Sequence, residues 1–198
     1  MNQVVLFEQT IAEYFGSPYA VAVDCCTHAL ELCLRLINPR IVTCPAHTYL
    51  SVPMTLEMLG IDWGFVDNPW TDYYFLGHTN IVDAAVLWQQ NSYIDGTFMC
   101  LSFQFKKHLN LGRGGMILLD DEDAYKTLKK MRYDGREDDI PWADQNVETM
   151  GYHYYMTPET AQLGLDKFRM ARATHPKTWT QDNYPDLRKM KVFDAKYK

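Results

Sequence analysis

A chain of 198 residues is long enough for one sizeable domain with a single buried core, and its 47% hydrophobic content is ordinary for a globular protein. Nineteen basic against 25 acidic residues leave a net charge of −6, which argues against a nucleic-acid-binding surface, because such a surface needs clustered Lys and Arg. Small anionic ligands are not excluded, since helix N-termini and backbone amides hold them locally.

Residues 1–15 carry no basic region and no small-residue cleavage site, and no run approaches about 18 apolar residues, so neither a signal peptide nor a membrane span is expected. The expected location is cytoplasmic. The five cysteines (Cys25, Cys26, Cys33, Cys44, Cys100) are an odd number, read as reduced thiols of a cytosolic core. Cys25, Cys26, His28 and Cys33 lie close together but form no C-x-x-C pair, and no metal is expected.

In chain order, apolar periodicity predicts a helix over 4–14 ended by Gly16, then a buried strand over 19–23. A second helix is expected to start at Thr27 and to stop at Asn38-Pro39. Strands over 40–44 and 61–66 flank a helix over 50–59 that Gly60 stops. Residues 67–72 have turn chemistry. Short strands follow at 73–76 and 81–85, then clearer ones at 97–103 and 114–119. A helix over 121–131 has acidic residues first and lysines last, as the helix dipole favours. Thr157-Pro158 opens a last helix to about 170, a cap residue followed by Pro at the first helical position. The polar tail, 171–198, is expected to be only partly ordered. Strands alternating with helices predict an α/β fold with a mixed, mostly parallel sheet, and ligands in such folds bind beyond the carboxyl ends of the strands.

Three strand ends carry suggestive groups. Thr27 follows the first strand and opens a helix, either as a plain N-cap or as part of a phosphate seat. Asp83 sits in an apolar setting, where a carboxylate needs a cationic or hydrogen-bonding partner; it either meets a protonated ring nitrogen or caps a local turn. After the 97–103 strand, Lys106 and Lys107 lie in a mostly apolar segment bounded by Gly112, Gly114 and Gly115. They form either a solvated basic loop or a site for an aldehyde-binding amine, which must be partly desolvated or near positive charge.

Five segments in order, from Phe7 to Met170, resemble the DegT/DnrJ/StrS family of nucleotide-sugar aminotransferases: residues 7–36, Pro45-Ala46-His47-Thr48-Tyr49, Asp83-Ala84-Ala85, Ser102 to Gly115 and Gly151-Tyr152-His153-Tyr154-Tyr155-Met156. The resemblance implies the large domain of a fold-type-I enzyme that uses pyridoxal 5'-phosphate (PLP), over 1–170, with 171–198 as a short tail and the small C-terminal domain largely absent. It implies transfer of an amino group from glutamate to a keto-sugar nucleotide in a homodimer with shared active sites. Lys107, five after Ser102 and five before Gly112, falls at the family's Schiff-base position and would also carry the proton of the 1,3-shift. Asp83 would pair with the pyridine nitrogen, Tyr49 would stack on the ring, and Thr27, Ser102 and the backbone of Cys26 and His28 would hold the phosphate. His153 would reach the phosphate of the neighbouring subunit.

The chain also departs from the family's pattern. Cys26 stands for Gly, where its Cβ would crowd the phosphate, and His28 stands for the usual Ala. Val86 replaces His or Gln, Arg113 an acidic residue, His153 Asn and Tyr155 Arg. Two further readings stay open: a vestigial or non-catalytic binding protein that keeps the fold, and a PLP reaction on a small amino acid.

Overall fold

The computed structural model describes residues 2–196, so Met1, Tyr197 and Lys198 lie outside the described residues. Helix α1 (Gln3–Phe15) is capped by the Asn2 side chain, which accepts from the Val4 amide. It ends at Gly16, whose φ of 80° lies in the left-handed region that a side chain disfavours. Strand β1 (Tyr19–Val23) and helix α2 (Cys26–Ile37) follow, then β2 (Ile41–Pro45), α3 (Ser51–Met58) and β3 (Asp62–Val66). A two-residue β4 (Tyr74–Phe75) leads to β5 (Ile81–Asp83), β6 (Phe98–Ser102), β7 (Gly115–Leu119), α4 (Glu122–Met131) and α5 (Pro158–Ala173).

The main sheet has the order β1-β7-β6-β5-β4, and β2 and β3 form a separate parallel pair. Thr43 of β2 exchanges backbone hydrogen bonds with Gly77, which ties this pair to the segment after β4. The sheet is mixed, as the alternation predicts, but its pairings are not mostly parallel. Only β5 and β6 pair in parallel; β1–β7, β6–β7 and β4–β5 are antiparallel. The reason is that β7 runs backward between β1 and β6, and β4 runs backward along the edge beside β5. Nothing in a local alternation of strands and helices encodes that insertion.

Side chains alternate across the sheet with the two-residue period of a strand. Val21, Val23, Cys100, Ile117 and Leu119 face one core with α2 and α3. Ala20, Ala22, Met99, Leu101, Met116 and Leu118 face another with α1 and α5. The sheet is thus buried on both faces, the layered arrangement that puts its strand ends at a common edge. Among the described residues no helix is long and apolar enough to cross a membrane.

The tail does not match the expectation of partial order. It forms short 3₁₀ turns over Gln181–Asn183, Leu187–Lys189 and Lys191–Lys196. Leu187 and Phe193 bury themselves in the α2–α3 core, and the Leu187 amide donates to the Ala46 carbonyl at 2.9 Å. Phe193 packs edge-on against Trp63 and Phe65. Two apolar anchors in a polar stretch are too sparse to show a period, yet they hold the segment down.

Candidate active site

A cavity of about 340 Å³ opens at the edge where β1, β5 and β6 end and α2 begins. It lies where open α/β sheets bind their ligands. Lys107, Asp83, Tyr49, Thr27, Cys26 and Ser102 all line it. Of the eight sequence-derived site residues, only His28 and His153 are not among its walls.

Lys107 sits in the turn after β6, its amide donating to the Gln104 carbonyl at 2.8 Å. Its neighbour Lys106 is exposed beside the Phe105 ring, whereas Lys107 is partly buried and faces the cavity. Burial lowers the pKa of Lys107, with Cys26 and Asp83 pulling the other way. The turn therefore resolves two adjacent lysines into one solvated charge and one with an increased share of free amine.

Asp83 ends β5 and is 6% exposed. One carboxylate oxygen accepts from the Tyr74 hydroxyl at 2.5 Å and the other from the Ala85 amide at 3.0 Å. Both readings of this residue are thus partly realised: it caps a turn, and it faces the cavity. Burial raises its pKa, opposed by the Tyr74 and Ala85 hydrogen bonds and by the charge of Lys107. Among the described residues no cationic group lies within ion-pair distance of it. Tyr74 in turn shares a short hydrogen bond with Thr48, so a buried Thr–Tyr–Asp chain fixes the carboxylate.

The helix start differs from expectation by one residue. Cys25, in extended conformation, is the N-cap of α2, so Thr27 is inside the first turn rather than capping it. The Cys25 side chain makes no cap hydrogen bond, and the first-turn amides of Cys26, Thr27 and His28 have no carbonyl one turn back within the helix. The Thr27 and Ser51 hydroxyls share a hydrogen bond of 2.8 Å. Cys26 points its thiol toward the Cys100 carbonyl of β6, 3.8 Å away, so its side chain turns into the core. Burial pushes that thiol well above its ordinary range.

The His28 ring is turned away from the cavity. It stacks on Tyr154 at 3.6 Å and its Nδ1 donates to Asp24 at 2.5 Å. Burial alone would lower its pKa, but the bonds to Asp24 and Cys25 prevail and raise it to about 9. Only the backbone of His28 belongs to the α2 start. Arg113, from the Gly-rich turn, donates to Asp24 at 2.8 Å and lines the cavity. Asp24, Cys25 and His28 also bring ligand-type atoms within 4.8 Å of one another, but the Asp24 oxygens are engaged by His28 and Arg113. His153 is exposed and pairs with Asp134 at 3.0 Å.

Several cavity residues were not found from sequence. Trp70, Tyr74 and Tyr184 supply aromatic walls, and Tyr184 comes from the tail. Tyr74 had a weak signal, as the aromatic residue of a short strand opposite the one that carries Asp83. Tyr184 had none, because its approach depends on the fold of 100 intervening residues or so.

The cavity of this α/β protein brings together a partly buried amine, a buried carboxylate and a helix N-terminus without a side-chain cap. The chain belongs to the DegT/DnrJ/EryC1/StrS aminotransferase family, whose pattern matches residues 2–81 and 93–180. Members of this family use PLP. An uncharacterized protein of Methanocaldococcus jannaschii is 22% identical over 219 residues, covering 83% of this chain and 56% of the relative. The fold is shared with AtS13 from Actinomadura melliaura (19% identity, TM-score 0.75, 87% of this chain and 61% of that one). It is shared equally with the sugar aminotransferase CalS13 from Micromonospora echinospora (18% identity, TM-score 0.74, 87% and 62%). The chain thus spans less than two thirds of the length of these relatives.

Proposed function

We propose that this chain is a PLP-dependent aminotransferase that moves an amino group from glutamate to a keto-sugar nucleotide, with Lys107 as the residue that holds the cofactor's aldehyde carbon. The observation that carries this reading is the shared cavity of Lys107 and Asp83 beside the uncapped start of α2.

The residues fit the group. When bound, PLP supplies an electron sink for the carbon from which a proton is removed. Lys107 has the lowered pKa that makes an amine available as a nucleophile, and once free it can carry a proton from one carbon to the next. Asp83, which burial destabilises as a bare anion, would gain a charge partner in a protonated ring nitrogen. The amides of Cys26, Thr27 and His28, with the Thr27 and Ser102 hydroxyls, would seat the phosphate, and Arg113 would add a cation at the same edge. Tyr49, exposed at the rim, offers its face to the ring. His153, free of its own cavity, is assigned to the phosphate of a second subunit in a cytoplasmic homodimer.

One observation favours a second reading, a PLP-fold binding protein without turnover: Val86 leaves an apolar wall where the family has a polar side chain. A single titration separates the two. Purified protein mixed with PLP should develop a visible absorption band that Lys107→Ala abolishes, and glutamate should then convert the band to that of the amino form. A band that survives the substitution would sink the Lys107 assignment; a band indifferent to glutamate favours binding without turnover.

A further inference from the structure

The segment 177–186 follows the last large helix, and its second half lies beyond the residues that match the family. It meets the cavity lysine at Trp179 and the cavity wall at Tyr184. The Lys107 ammonium lies over the Trp179 ring, 5.6 Å from its centre. The Lys177 ammonium approaches the same ring at 4.3 Å. Asp72 pairs with the Trp179 backbone: the Trp179 amide donates to the Asp72 carboxylate and its carbonyl accepts from the Asp72 amide, both at 2.8 Å. Asp72 adopts φ of 60°, a costly backbone that this paired contact maintains. A bridge between Thr71 and Thr180 continues the attachment.

Five residues on, Tyr184 forms a cavity wall with Asp83 and Tyr49. Its carbonyl accepts from His47 Nδ1 at 2.9 Å, and its ring packs between Trp70 and Trp179. Its hydroxyl has no hydrogen-bond partner among the described residues. Burial raises its pKa, with Asp83, Cys26 and Tyr49 contributing, so it stays a neutral donor beside a carboxylate.

We propose that the tail is a working part of the site: Trp179 is a positioning residue that orients the Lys107 ammonium through its ring face, and Tyr184 contributes a hydroxyl that contacts the bound ligand from the wall it shares with Asp83 and Tyr49. The assignment of Tyr184 rests on the PLP reading; that of Trp179 is a property of the free chain. An indole face stabilises the charged form of an amine it covers, so Trp179 works against the burial that lowers the Lys107 pKa. Removing the ring while burial persists shifts that pKa down. A merely structural ring would do the opposite, because its loss would admit water and raise it.

The test uses the whole 198-residue chain without cofactor. Competitive acetylation across a pH series, read on Lys107 by peptide mass spectrometry, gives the amine's pKa. Trp179→Leu should lower it by about half a unit to one unit. Trp179→Phe, which keeps a weaker ring face, should lower it less and serves if the Leu variant does not fold. No shift, or an upward shift, in the folded variant overturns the Trp179 assignment. For Tyr184→Phe, PLP affinity by absorption titration should fall about fivefold, the effect of one hydrogen bond, with Lys107 acetylation unchanged. Unchanged PLP affinity overturns that half. If the wild type takes no PLP at all, the proposed function fails, while the acetylation result still decides the Trp179 contact.

Discussion

Arg132 and Glu8 form an ion pair in which each side chain is 4% exposed. Arg132 also donates to the Ala22 carbonyl, and Glu8 accepts from the Ala22 amide, so the pair pins α4 and α1 to the middle of β1. Breaking such a pair leaves a buried charge. Arg132→Met should cost about 3–5 kcal/mol in urea unfolding, and adding Glu8→Gln should recover part of it. A cost under about 1 kcal/mol would show that Lys129, 3.7 Å from Glu8, already suffices. This pair had no signal in sequence, because its members stand 124 residues apart. Lys107 stood out in the sequence for a different reason. A lysine between apolar residues and a Gly-rich turn is locally anomalous, and the resemblance then separated it from Lys106. Asp83 was legible as a carboxylate in an apolar strand, but its Tyr74–Thr48 chain was not, since cross-strand partners carry no local mark.

At the scale of elements, the ends of helices read well because their chemistry is local. Gly16, Asn38 and Thr157-Pro158 mark helix ends that the structure keeps, Asn38 with φ of 44°. The start of α2 read one residue late because an extended cysteine, rather than a hydroxyl residue, occupies the N-cap position and makes no side-chain cap bond. That start is held close to β7 by Gly115: a Cβ there would meet the Cys25 carbonyl carbon at 2.5 Å and the Cys26 amide at 2.7 Å. Gly115→Ala should therefore displace the proposed phosphate seat, lowering stability by about 1–3 kcal/mol and, on the proposed function, weakening PLP binding in the same samples. Gly164→Ala is the control. Its Cβ would meet the Phe7 ring at 2.6 Å, on the α1–α5 side of the sheet. It should lower stability comparably and leave PLP affinity intact. Equal loss of affinity in both variants would contradict a local seat at α2.

At the scale of the molecule, the α/β class was legible from alternating elements, while strand order and the course of the tail were not. β7 enters between β1 and β6, and the tail returns to the α2–α3 core through Leu187 and Phe193; both are long-range choices settled by packing. Charge at the cavity edge has a consequence for the whole fold. His28 rises from 6.5 in the unfolded chain to about 9 beside Asp24 and Cys25. Its stabilising contribution is complete below about 6.5 and is lost as pH rises through about 9. The Tm difference between wild type and His28→Gln should accordingly shrink between about pH 6 and pH 10. A constant difference would mean that the ring serves through its stack on Tyr154 rather than through its charge.

The central claim is that Lys107 is the residue that takes hold of PLP. Borohydride reduction of the PLP-treated protein, followed by peptide mapping, tests it most directly. The account predicts a phosphopyridoxyl group on Lys107, at one per chain and absent from Lys106. A label spread over surface lysines, or found on Lys106 with Lys107 unmodified, would contradict it.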